Sequence, residues 1–169
     1  TITQNANVAV NTNGGSVTYI SNYGNTTTSA TGGIVLNSGS SITTNGGAIN
    51  LGSSSNYAIG AVTNSGTPSN VYSGVLLYSS TLNAGTGAIS IYGKSTYTAG
   101  DYGIGVWSGA GTTVIGGNIT LVGNGSASNT NNVNYGVVLN SETLTASGNL
   151  SVTGTGGGTG ASNTNDCGI

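Results

Sequence analysis

The apolar residues of this chain recur in three short signatures, each bounded by Gly, Asn or Ser. In the first, a small or polar residue is followed by apolar, polar, apolar: Ser16-Val17-Thr18-Tyr19, Ala48-Ile49-Asn50-Leu51, Ala88-Ile89-Ser90-Ile91, Asn118-Ile119-Thr120-Leu121 and Asn149-Leu150-Ser151-Val152. The second begins with Gly: Gly33-Ile34-Val35-Leu36, Gly74-Val75-Leu76-Leu77, Gly103-Ile104-Gly105-Val106, Gly136-Val137-Val138-Leu139 and the truncated Gly168-Ile169. The third precedes a glycine turn: Ser41-Ile42-Thr43-Thr44, Thr81-Leu82-Asn83-Ala84, Thr113-Val114-Ile115 and Thr143-Leu144-Thr145-Ala146, with Asn7-Val8-Ala9-Val10 as its opening instance. They follow one another in a fixed cyclic order, with a period of roughly 30–33 residues. One longer turn of about 40 residues carries an insertion near Tyr57–Tyr72 that includes the only proline, Pro68.

Short runs rich in β-branched residues and closed by turn formers are strand signals. Alternation along the first signature sets Val17, Ile49, Ile89, Ile119 and Leu150 on one face and Thr18, Asn50, Ser90, Thr120 and Ser151 on the other. No segment repeats apolar residues at helical spacing, so no helix is expected. Three strands per period, each matched one period later, predict an all-β fold: a right-handed parallel β-helix of about five three-stranded coils. Each coil rises about 4.8 Å, which makes a rod some 24 Å long. Inward Ile and Val stack in columns, and corners needing φ > 0 account for the abundant Gly and Asn. An antiparallel sandwich is the competing architecture; strands matched by period in threes argue against it. Residues 1–169 read as one β-helical segment of a longer array. The chain starts inside a coil and stops within a second-strand signature, and neither end carries a polar cap or a charged edge.

Composition then removes most chemistries. Gly, Ser, Thr and Asn make up about three-fifths of the chain. Charged residues are 2%, with a net charge of −2, a single Lys or Arg (Lys94) and no His. One cation cannot neutralise a run of phosphates, so no nucleic-acid partner is expected. Without His there is no triad, and Cys167 alone makes neither a zinc site nor an internal disulfide. Disorder is disfavoured because the apolar residues are periodic and the net charge is small. No run of 18 apolar residues is present, so membrane insertion is not expected. The N-terminus lacks a signal peptide's basic region and reads as mature or internal.

A few residues stand out against this background. Asp101, Asn134 and Asp166 each precede a Tyr/Cys-Gly pair and are aligned as one column. A calcium site is the functional reading, but calcium needs six to eight oxygens, and a corner ladder of Asx side chains is favoured. Tyr102, Tyr135 and Cys167 form the next column, read as corner filler with a packed thiol; an intermolecular disulfide is the alternative. In the second signature, inward Ile34 and Leu36 turn Val35, Leu76 and Val138 outward, with Gly105 completing the stripe and Tyr78 and Trp107 just beyond. An outward apolar stripe is a candidate contact surface. It is covered either by the chain's own connectors, such as 52–73 or 123–134, or by another rod or partner. Ser41, Thr81, Thr113 and Thr143 stack without the regular Thr-x-Thr that an ice-binding face requires. Asn-x-Ser/Thr sequons at Asn25, Asn118, Asn124 and Asn149 are no more than chance provides in such a chain. Glu142 and the aspartates belong to different strands and Lys94 to a connector, which gives neither the paired carboxylates of a glycosidase nor the acid cluster of a lyase. No catalytic residue, cofactor or metal ligand is assigned.

The repeat Gly-Asn-Ile-Thr-Leu at 117–121, Asn-Tyr-Gly-Val-Val-Leu at 134–139 and Thr-Leu-Thr-Ala-Ser-Gly at 143–148 resembles that of the filamentous haemagglutinin-type exoproteins, and the likeness runs over essentially the whole chain. Those are large bacterial surface adhesins, many exported by two-partner secretion. Autotransporter passengers carry similar Gly/Asn-rich coils. The family's N-terminal secretion domain is matched by no residues here. The resemblance implies an extracellular, cell-surface β-helical shaft that presents or extends something without catalysis. Its partners would be adjacent coils of the same or identical chains and a receptor on a host or neighbouring cell. The alternative is a discrete subunit that self-assembles by coil stacking or lateral packing into a filament or surface layer.

Overall fold

The structure is a computed structural model and describes residues 1–22, 32–63, 71–98, 102–127, 133–158 and 167–169. Its strands come in successive rungs of three. The first rung is β1 (Ile2–Gln4), β2 (Ala9–Asn11) and β3 (Val17–Tyr19); the second is β4 (Ile34–Leu36), β5 (Ser41–Thr43) and β6 (Ile49–Leu51). A short extra strand, β7 (Ala58–Gly60), precedes the third rung of β8 (Val71–Leu77), β9 (Thr81–Asn83) and β10 (Ile89–Ser95). The fourth rung is β11 (Tyr102–Ser108), β12 (Thr113–Gly116) and β13 (Ile119–Asn124), and the fifth is β14 (Val137–Leu139), β15 (Thr143–Ala146) and β16 (Leu150–Thr155). Corresponding strands pair in parallel as three sheets: A is β1-β4-β8-β11-β14, B is β2-β5-β9-β12-β15, and C is β3-β6-β10-β13-β16. The fold is a β-solenoid of three-stranded coils.

The register stacks like on like. Ile2, Ile34, Val75, Val106 and Val137 form one inward column of sheet A. Val10, Ile42, Leu82, Val114 and Leu144 form that of sheet B. Sheet C contributes the Val17 and Tyr19 columns, the latter continuing through Leu51, Ile91, Leu121 and Val152. These side chains share one core running through all five rungs. Burying each Ile or Leu stabilises the fold by about 1.5–3 kcal/mol, offset by ordering the chain. The first rung departs from the apolar rule. Gln4 is buried below Leu36; its Nε2 donates to the Val8 and Ser41 carbonyls at 2.8 and 2.9 Å, and the Tyr19 hydroxyl donates to its Oε1 at 3.2 Å.

Two corners show why small residues recur. Between sheets A and B, the position two residues before the sheet B strand has positive φ in every rung: Asn7, Gly39, Ser79, Gly111 and Ser141. Between sheets C and A the backbones nearly touch. A Cβ on Gly93 would strike the Gly105 carbonyl, one on Gly123 the Gly136 carbonyl, and one on Gly154 the Gly168 carbonyl. Only glycine fits this seam.

Candidate functional site: the outer face of sheet A

Between inward residues, each sheet A strand turns one side chain outward. The pairs Thr3–Val35, Val35–Leu76, Leu76–Trp107 and Trp107–Val138 align these into one stripe. Trp107, not Gly105, therefore occupies the fourth-rung position, a correction to the sequence alignment. Val106 pairs with Val75 and Ile104 with Ser73, so Gly105 falls level with Gly74 and belongs to the glycine seam. The repeat unit of that rung is Gly105-Val106-Trp107-Ser108, two residues later than the apolar pattern indicated.

The chain covers much of its own stripe. Val35, Leu76 and Trp107 form a second apolar cluster with Val62 and Ile104, against which Tyr78, Tyr135 and Val138 are partly buried. Val62 is held there by two antiparallel hydrogen bonds with Ser73, both 2.9 Å, and packs so closely on Gly33 that a Cβ would not fit. Tyr78 stacks near-parallel to Trp107 with centroids 6.1 Å apart. Beside Val62 a groove of about 370 Å³ opens over the first two rungs, lined by Thr1, Thr3, Val35, Asn37, Ala61, Val62 and Thr63. Its side chains offer hydroxyls, one amide and apolar surface, with no titratable side chain for proton transfer.

The remaining residues lie elsewhere. Asp101 and Asp166 fall outside the described residues. Asn134 is buried, but Tyr102 pairs with Val133, so Asn134 sits level with Gly103, one position past Tyr102. The aligned Tyr102–Tyr135 column is thereby corrected by the same two-residue shift. Tyr135 and Cys167 do correspond: the Gly136 and Val137 amides donate to the Cys167 and Gly168 carbonyls at 3.1 and 2.9 Å. The Cys167 thiol is free and exposed. Among the described residues no three His, Cys, Asp or Glu side chains come together.

Glu142 stands in the A–B corner, one residue before β15, where earlier rungs have Ser40, Ser80 and Thr112. Its Oε2 is buried without a hydrogen-bond partner. Burial raises its pKa, against the opposing pull of the Asn140 and Glu142 backbone amides. Lys94, on exposed ground in sheet C, pairs in the ladder with Ile59 and Asn124. The Ser41, Thr81, Thr113 and Thr143 column is present, headed by Ala9. The Asn118 side chain is engaged in the stack, accepting from the Asn149 amide at 2.8 Å.

Sequence reasoning missed Val62, and missed two aromatic pairs: Tyr57 edge-on to Tyr92 and Tyr72 stacked on Tyr97 at 3.5 Å. Val62, Tyr57 and Tyr72 lie in or at the edge of the non-repeating insertion, where no period points to a partner. No family model, no curated protein and no solved structure matches the chain.

Proposed function

We propose that this chain is a stretch of the rigid shaft of an extracellular bacterial surface protein of the filamentous haemagglutinin type, with a structural and adhesive role. The supporting observation is the unbroken in-register stack of five rungs on one apolar core, a construction whose every added coil lengthens the rod without changing its cross-section. A nearly uncharged exterior is consistent with that role, since a charged column would repeat about every 4.8 Å and repel itself. Cell-surface contacts would be made through the variable connectors and the sheet A groove.

A second reading, a subunit that polymerises by coil stacking, is favoured by one feature. Large apolar residues are exposed toward both ends of the stack: Val8 is 44% exposed beside the first rung, and Leu139 36% and Leu150 49% in the fifth, with Tyr102 at 40% in the fourth. Protease shaving of intact source cells, followed by the intact mass of the denatured protein, tests both. Release of these peptides from a chain far larger than 16.3 kDa supports the shaft. A surface chain near 16.3 kDa supports the subunit. Protection from protease in intact cells but not in lysed ones contradicts both.

A further inference from the structure

The chain contains three Asn-Gly bonds, at 13–14, 45–46 and 124–125. Such bonds are prone to deamidation because glycine leaves the following amide nitrogen unshielded. That nitrogen attacks the Asn side-chain Cγ, the Cγ–Nδ2 bond breaks, and ammonia departs with the glycine proton. Water then opens the cyclic imide at either carbonyl to aspartate or isoaspartate. The Asn13 and Asn45 side chains are exposed and Asn124 is half-buried, so water reaches the first two freely.

What these sites share is the state of the glycine nitrogen. The Gly14 N–H donates to the Thr44 carbonyl at 2.8 Å, Gly46 to Ala84 at 2.8 Å, and Gly125 to Thr155 at 2.9 Å. In each case the acceptor belongs to the next rung. The attacking atom is fixed in the ladder and can turn toward Cγ only if two rungs part. We propose that the three Asn-Gly bonds are modification sites held shut by rung stacking and exposed by its loss, so that deamidation records every opening of the rod. The record also reinforces itself. Asn13 and Asn45 hold equivalent positions, two residues past the paired Asn11 and Thr43, and carboxylates there would face each other about 4.8 Å apart. Each event adds one negative charge to a chain of net −2. The inference rests on the stacking alone and is independent of the cell-surface reading.

The glycines of the B–C corner provide the test. A Cβ on Gly47 would land on the Gly15 carbonyl, and one on Gly87 on the Gly47 carbonyl. Gly47→Ala therefore pries the first two rungs apart and Gly87→Ala the second and third. Site-resolved mass spectrometry would follow deamidation of the 169-residue chain at neutral pH, native and in denaturant. The native chain is expected to react at least about tenfold more slowly at all three sites, as local opening limits the rate. Gly47→Ala should accelerate Asn13, Gly87→Ala should accelerate Asn45, and Asn124 should not change in either. Equal native and denatured rates would overturn the proposal, as would folded variants that speed all three sites alike. Should a variant fail to fold, the wild-type order decides: Asn45 slowest, because its own rung and its acceptor rung both have neighbours on either side, whereas Asn13 lies in the first rung and the Asn124 acceptor in the edge strand β16; an Asn45 that reacts first overturns it.

Discussion

Glu142 takes the place that Ser40, Ser80 and Thr112 hold in the rungs before it, and it is the one acid the described rod partly buries. Burial favours the protonated form, so the folded pKa lies above the ordinary value of 4.5. The contribution of a raised acid is complete below the unfolded pKa and is lost as pH rises through the folded one. Stability should therefore fall as pH rises from about 4.5 through the raised folded pKa, and Glu142→Gln should flatten that fall. Thermal unfolding across this range checks it; parallel curves for the two proteins would contradict the burial argument. At the C–A seam the relevant atom is one that is absent. Gly123→Ala sets a methyl against the Gly136 carbonyl, and backbone on both sides leaves little room to yield. A loss of about 3 kcal/mol or more in denaturant unfolding is expected, where an exposed helix-free glycine would lose almost nothing.

At the level of strands, an interior rung is worth more than a terminal one. Leu82 is fully buried between the second and fourth rungs, whereas Leu144 is only partly buried in the fifth. Leu82→Ala should cost about 2–5 kcal/mol and Leu144→Ala less than half as much; equal losses would mean that the ends are as well covered as the middle. The strands of sheets B and C were readable in the sequence because each carries its own alternation. Sheet A was harder. Gly103-Ile104 and Gly105-Val106 both look like the start of its fourth strand, and the run of apolar residues favours the first. What selects the second is the need for glycine against Gly93, a contact between distant strands that no local pattern announces. The same limit hid Val62. The outward stripe was visible at Val35, Leu76 and Val138, but its cover comes from the insertion around β7, which occurs in a single rung and so has no repeat to reveal it.

On the scale of the whole molecule, aliphatic residues stacked on aliphatic residues along the main inward columns are the organising rule, and composition follows from it. Any side chain admitted to a column must tolerate itself, or a near equivalent, a strand spacing away. Aliphatic residues do so inside and Ser, Thr and Asn outside, as the 3.2 Å hydrogen bond from Asn50 to the Thr18 hydroxyl shows. Charges do not, and they make up 2% of the chain. The central claim is this register, and paired cysteines measure it most directly. In a Cys167→Ser background, Thr81→Cys with Thr113→Cys places thiols on directly paired residues, with Cα atoms about 4.8 Å apart and within disulfide reach. Asn83→Cys with Thr113→Cys displaces one thiol by two residues along the strand. Mild oxidation should close the first pair and leave the second open. Closure of the second in preference to the first would contradict the stacked-rung account.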